Sequence, residues 1–309
     1  MSLVVGTHSG TFHADDVLAV ALVRTFVDPF ARVIRTRDKA QLSGCDIVVD
    51  VGGEYDPDRR RFDHHQATYA GPMSSAGMVL AWLVSKRVLT DEFGALLRDR
   101  VVDYIDAVDT GRRAPDLDVP CFARIVEAIG QGCDSPDEQL AAFERCVGIG
   151  CELIRGLEAG HARMVAARDV VRRAMEDAVV AGRSVLLLDR YVPWKPVYFA
   201  MGGEHHPTDY VLFPSEDATW KLVAIPPTQG QFEQKRPLPK SWAGLMGSDL
   251  EAATEVPGSI FCHKNRFIAV FASREGAIEA LKRFDLYHLR PEAVRRAQQE
   301  GVIQTDAIA

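Results

Sequence analysis

The chain has 309 residues, of which 47% are hydrophobic and 26% charged, with a net charge of −7 at pH 7. Its length exceeds the roughly 100–200 residues of one ordinary domain, so two domains are expected, and the composition is that of a soluble globular protein with a substantial core. The acidic balance excludes a generally basic nucleic-acid binder but not a nuclease that holds phosphates through cations and a local basic rim.

The N-terminus lacks a basic stretch followed by a long apolar one, so no secretory signal is read there. Leu3-Val4-Val5 ending in Gly6-Thr7-His8 suits a buried strand emptying into a loop. From Asp15 onward Val17, Leu18, Ala21, Leu22 and Thr25 recur at helical spacing. His8, His13 and Asp15 therefore fall between a strand's carboxyl end and a helix's first turn, where open α/β sheets usually bind ligands. Val33-Ile34, flanked by Arg32, Arg35 and Arg37, is a second predicted strand; Ile47 to Val51 is a third, with Asp50 near its end before a Gly-Gly turn. Alternating strands and helices predict a parallel sheet covered on both faces.

Next comes Arg61-Phe62-Asp63-His64-His65-Gln66, one acid and two adjacent imidazoles that would fill a core poorly. The uncharged run from Gln66 to Ser85 is broken by Gly71, Pro72, Ser74 and Ser75, which leaves too short an apolar stretch to span a bilayer. Ser74 and Ser75 are suited to cap a helix over Ala76 to about Ser85. Another helix runs from about Asp91 into Asp103-Tyr104-Ile105-Asp106-Ala107-Val108-Asp109, where acids cluster at its end. Residues 136–181 read as one long helix or two in series, with Gly148, Gly150, Gly156 and Gly160 as candidate breaks and His161 as a core histidine. Four strands then follow, Val185–Leu188, Tyr210–Phe213, Leu222–Ile225 and Phe267–Phe271, with a helix over Glu275–Phe284. The expected division is a catalytic domain over 1–133, then a helical connector and a smaller α/β domain over 134–309. Six cysteines without a C-x-x-C pair read as thiols of a reducing compartment, and a cytoplasmic location is expected.

His8, His13, Asp15, Asp50, His64 and Asp109 offer three imidazoles and three carboxylates from four segments ending at one sheet edge. Such a mixed set suits divalent cations. Two ions about 3.5–4 Å apart can share a carboxylate such as Asp50 and clamp the oxygens of an in-line displacement.

With the runs His8–Asp15, Asp50–Pro57, Arg61–Gln66 and Tyr104–Asp109, the chain resembles the melanocyte-proliferating-gene family, itself similar to the DHH phosphoesterases. The likeness continues through Phe232–Leu245 and Ile260–Lys264, so it covers nearly the whole chain. It implies a DHH-like α/β fold and a two-metal phosphodiesterase, most sharply a 3′–5′ exonuclease on single-stranded RNA or short oligonucleotides. It assigns the six residues above as metal ligands, His65 to the substrate phosphate and Asp63 to orienting a neighbour. Asp109 is preferred over Asp106 as the last ligand. His13-Ala14-Asp15 stands where the superfamily commonly has Asp-x-Asp, and the extra imidazole favours manganese, with zinc or magnesium as the other candidates. In the second domain the likeness implies a substrate-closing surface made of Lys235, Arg236, Lys240 and His263, with Trp242 stacking a base. His205-His206 is expected in an exposed loop. A small phosphate compound such as pyrophosphate or a nucleotide is the second substrate reading, and a non-catalytic metal-stabilised module is the third. No membrane partner is expected, and the oligomeric state stays open, a homodimer included.

Overall fold

Short strands, three of them built around Val and Ile, set up the parallel sheet. The computed structural model describes residues 2–303, and the chain divides into two units at His161/Ala162. In the first, β1 (Val4–Thr7), β2 (Arg32–Arg35), β3 (Ile47–Val49), β4 (Tyr55–Asp56) and β5 (Arg61–Phe62) form one sheet in the order β2-β1-β3-β5-β4. The first four of that order run parallel, and β4 returns antiparallel on β5. The chain passes from β1 to β2 through α1 (Ala14–Phe26), then through α2 (Lys39–Ser43) to β3 on the opposite side of β1. This reversal makes a topological switch point between the carboxyl ends of β1 and β3.

Alternation along the strands divides the two faces. Val5, Ile47 and Val49 join the main core with α1 and with α3 (Ser75–Ser85). Val4, Val48 and Val51 pack with Leu42 and Cys45 at α2. A Cβ at Gly6 would stand 2.9 Å from Leu42, so α2 approaches β1 too closely for a side chain there. α1 is buried without a break from Ala14 to Val23, and α3 nearly so; helices apolar all round belong inside a core. α4 (Asp91–Leu97), a π-helical turn over Arg98–Val102 and α5 (Asp103–Asp109) follow as one stretch, then α6 (Phe122–Gly130). The buried carboxylate of Asp106 on α5 holds the start of α3, accepting from Ser74 N at 3.0 Å, Ser74 Oγ at 2.7 Å and Gly77 N at 3.1 Å.

Residues 136–180 form a single helix, α7 (Pro136–Val180). Its glycines do not break it. A Cβ at Gly150 would meet Ala21 at 2.9 Å, which marks a close approach to α1, and those at Gly148, Gly156 and Gly160 would meet nothing. The division falls inside α7 rather than at the expected 133/134 because Phe143, Val147 and Ile154 complete the first core. From Ala167 the helix instead packs on the second sheet. His161 is half-buried and stacked on Phe93, with ring centroids 5.3 Å apart.

The second unit contains β6 (Val185–Leu187), α8 (Trp194–Ala200), β7 (Tyr210–Pro214), β8 (Trp220–Ala224), α9 (Gly247–Thr254), β9 (Ser259–Cys262), β10 (Ile268–Phe271), α10 (Arg274–Arg283) and α11 (Pro291–Gln299). Its sheet order is β6-β7-β8-β10-β9, parallel only between β6 and β7. One face packs on Trp242, Leu250 and α10, the other on α7 and α8. His206 is buried, which corrects the exposed loop expected there. Its Nδ1 lies 2.9 Å from Thr208 Oγ1, and Thr208 Oγ1 also meets Tyr198 OH at 2.9 Å. Burial, with Lys235 nearby, pushes the His206 pKa down to about 3. Among the described residues no helix is long and apolar enough to cross a membrane.

Two outcomes follow for stability. A Cβ at Gly77 would stand 2.1 Å from Asp106 Oδ2, so Gly77→Ala should displace that carboxylate and lower stability by about 2–3 kcal/mol in urea unfolding. An unchanged midpoint would contradict this role of Asp106. In the second unit, a histidine depressed in the folded state contributes stability that is full above pH 6.5 and fades as pH falls towards 3. The wild type should therefore lose about 2 kcal/mol more than His206→Asn between pH 7.5 and pH 5, as followed by thermal melts at the two pH values.

Candidate metal centre

Three parallel strands deliver their next residues to one crevice: β1 is followed by His8, β3 by Asp50, and β5 by Asp63-His64-His65. Asp50 adopts a left-handed backbone conformation, with φ 57°; Asp tolerates this region better than most residues, and such strain concentrates at functional sites. Its amide still pairs with Phe62 O at 2.9 Å. The first turn of α1 contributes Asp15 and Asp16, with His13 just before it, and α5 ends on Asp109.

The six expected ligands come together. Donor atoms lie within 4.8 Å of one another in four groups: His8, His13 and Asp50; His13, Asp15 and Asp109; Asp15, Asp16 and Asp50; and Asp50, Asp63, His64 and His65. Asp50 recurs in three of the four, and His13 and Asp15 in two each, so these residues are placed to be shared. His8 Nε2 lies 3.2 Å from Asp50 Oδ2, His64 Nε2 lies 3.0 Å from Asp109 Oδ2, and Ser75 Oγ donates to Asp50 Oδ1 at 3.2 Å. His8 Nδ1 is 3.2 Å from the Ser9 carbonyl; a proton held there leaves Nε2 as a lone pair facing the carboxylates. Asp106 is absent from these groups, its carboxylate being committed to Ser74 and Gly77.

Asp63 and His65 sit beside the cluster as a linked pair. Asp63 Oδ1 lies 2.8 Å from His65 Nδ1, and Asp63 Oδ2 accepts from Gly53 N at 2.6 Å. Although burial works the other way, the Gly53 N–H and His65 hold the Asp63 pKa below the ordinary carboxylate range. The His65 ring is exposed and stacks on His64, with ring centroids 4.2 Å apart.

The charge balance calls for cations. Among the described residues neither carboxylate oxygen of the wholly buried Asp15 has a hydrogen-bond partner, nor does the buried His64 Nδ1, which lies 3.6 Å from Asp50 Oδ1. Burial, then Asp50, Asp109 and Asp16, push the Asp15 pKa well above its ordinary value. Burial raises Asp16 to about 7 against the opposing pull of His8. For His8 and His64 burial disfavours the imidazolium, but the surrounding carboxylates outweigh it and raise both. A buried anion without a partner costs several kcal/mol, and a divalent cation among these mixed N and O donors removes that penalty. The donor set therefore fits a metal centre.

Two residues missed in the sequence belong here. Asp16 is fully buried, accepts from His13 N and Val17 N at 2.9 Å each, and lies 3.5 Å from His8 Nε2. Its signal was an acid three positions after the helix cap, the capping-box place. Arg37, beyond β2, lies with His8, Asp50, Asp63 and His65 around a cavity of roughly 500 Å³, its Nη2 3.4 Å from His8 Nδ1. Its position after a strand adjoining β1 was the available hint.

The second unit corrects the basic surface expected there. Trp242 is fully buried, edge-on to Phe271 and Phe284, so it cannot stack a base. Lys235 Nζ donates to Gly203 O at 2.6 Å, His206 O at 2.8 Å and Tyr198 OH at 3.1 Å, and burial pushes its pKa down to about 7. That ammonium ties the 225–238 loop to the turn after α8. Arg236 donates to Asp285 O at 2.8 Å. Lys240 is exposed, and His263 is half-buried with its ring against Phe267.

A family model described as MYG1_exonuc, uncharacterised protein family UPF0160, matches residues 4–283. The chain is 38% identical to the MYG1 protein of Chlamydia trachomatis serovar D over 283 residues, covering 90% of this chain and 94% of that protein. It is also 32% identical to the MYG1 exonucleases of Rattus norvegicus and Homo sapiens, covering 89% of this chain and 82% and 83% of theirs. Matched over nearly its whole length by a family model and by relatives above 30% identity, the chain belongs to the MYG1 family.

Proposed function

We propose that this protein is a metal-dependent phosphodiesterase that removes nucleotides from the end of single-stranded RNA or short oligonucleotides, in the 3′–5′ direction. The observation that carries the reading is the convergence of His8, His13, Asp15, Asp50, His64 and Asp109 on one crevice with Asp50 shared between groups. Relatives named exonucleases support it, as does the likeness of Asp63-His64-His65 to the DHH phosphoesterases. The donor pattern favours two ions, and three imidazoles among the donors favour manganese over magnesium. When bound, such ions supply Lewis acidity towards phosphoryl oxygens and lower the pKa of water.

The chain's own residues supply the rest. His8, Asp50 and Asp15 hold the site rigid from strand ends and a helix start. His65, held at Nδ1 by Asp63, can in its imidazolium form donate from Nε2 to a phosphate oxygen of the substrate. Arg37 adds a guanidinium beside His8, with no carboxylate partner among the described residues, for a second phosphate. In the second unit Lys240 and His263 are the expected substrate-binding residues that remain accessible.

With manganese, the protein should shorten a 5′-labelled single-stranded RNA stepwise from its 3′ end. Asp50→Ala should abolish this, and Asp63→Asn should slow it about 10–100-fold through loss of a supporting hydrogen bond. If RNA stays intact while pyrophosphate or a mononucleotide is hydrolysed, the substrate reading is wrong. If metal raises the melting temperature but nothing is hydrolysed, the protein is a metal-stabilised module instead. Removing the metal with EDTA should lower the melting temperature, and manganese should restore it.

A further inference from the structure

Beside the metal centre lies a cavity of roughly 770 Å³ with a different character, within the range of about 300–1,000 Å³ typical of small-ligand sites. Phe12, Ile105, Val108 and Val126 give it apolar walls, while His13, Asp15 and Asp109 form the edge it shares with the cation ligands. A group seated in this cavity therefore adjoins any phosphate held at those carboxylates. We infer that the cavity receives the base and sugar of one terminal nucleotide, an inference that rests on the phosphodiesterase reading and adds to it the place where the base is held.

The two cavities flanking the centre differ as the two parts of a nucleotide chain differ. The one containing Arg37, Gly10, Gly52 and His65 also carries Asp50 and Asp63, so it suits a phosphate once cations sit on those carboxylates. The one at Phe12 offers aromatic and aliphatic surface that inorganic phosphate or pyrophosphate would leave unused. Phe12 is built as a fixed wall. It is buried, packs edge-on against Phe143 at 5.5 Å and lies under the Arg35 guanidinium at 5.3 Å. A Cβ at Gly130 would stand 3.3 Å from its ring, so the end of α6 presses directly on it. At the rim, exposed Gln131 offers an amide that both donates and accepts, which suits the edge of a base. The walls come from the start of α1, from α5 and from α6.

The test uses the full chain loaded with manganese and titrated by calorimetry with AMP, inorganic phosphate and pyrophosphate. AMP should bind about tenfold or more tightly than phosphate, the gain expected from burying one base against apolar and aromatic side chains. Ala123→Trp, on α6 and itself none of the proposed ligands, fills the cavity. It should remove the AMP advantage while leaving phosphate and manganese affinities unchanged. Should that variant fail to fold, 8-azido-AMP photolabelling of the wild type reads the same point: label should map to residues 11–15 or 104–131, and label confined elsewhere overturns the pocket. Equal affinities for AMP and phosphate overturn it as well, and RNA shortening that persists then leaves the phosphodiesterase reading standing. An AMP advantage lost in Ala123→Trp, in a protein that cleaves no RNA, keeps the pocket and removes that reading instead.

Discussion

Asp15, Asp16 and Asp50 lie in mutual reach and almost wholly out of water, and the first unit is arranged around that constraint. Like charges at this separation in a low-dielectric crevice repel by several kcal/mol. Nothing in the apolar core can relieve them. Asp16 finds partial relief in the backbone amides of His13 and Val17, and Asp50 in Ser75 and His8. Asp15 has no hydrogen-bond partner that meets ordinary geometry among the described residues. A buried carboxylate left without such a partner beside two that have one is suited to an external cation.

The sheet makes this concentration affordable by rigidity. β1, β3 and β5 are parallel neighbours, so their carboxyl ends, and the residues that follow them, point into one crevice without long loops to position them. α1 is buried along most of its length, which fixes the carboxylates of its first turn. Asp106 locks the start of α3, from which Ser75 reaches Asp50. The supporting hydrogen bonds thus run from α5 through α3 to the shared carboxylate.

Much of this was legible because the residues sit at punctuation points. His8 follows a short apolar run, Asp50 precedes two glycines, and Asp15 opens a helical repeat, so strand ends and helix starts were readable as positions as well as types. Strands β4 and β5, two residues each, carry no periodicity to read, and the place of Asp63-His64-His65 came from their chemistry alone. The second unit was harder for a physical reason. Lys235, Arg236 and Lys240 around prolines look like a solvated loop. That loop is instead tied back through Leu238 N to Arg266 O and Gly244 N to Cys262 O, which carries Trp242 into the core and turns Lys235 inward. The likeness to the family marked these residues as special, but chemistry at the level of residue type could not separate a phosphate contact from a buried clip. His206 is the same case, a polar side chain drawn under α8 by the turn that Gly202 and Gly203 allow.

The same carboxylates that invite a cation also invite protons. Asp50, Asp16 and Asp109 raise the affinity of His8 and His64 for a proton, and those nitrogens must be unprotonated to serve as ligands. Protons and metal therefore compete for one set of atoms, and metal binding must release protons. Under the proposed function this coupling bears on which ion is taken. Magnesium gains little from imidazole, prefers oxygen donors and sheds its water reluctantly. An ion that binds nitrogen well recovers the cost of displacing those protons and at the same time neutralises Asp15. His13 in place of a third carboxylate near the start of the chain shifts the donor balance the same way, towards manganese or zinc.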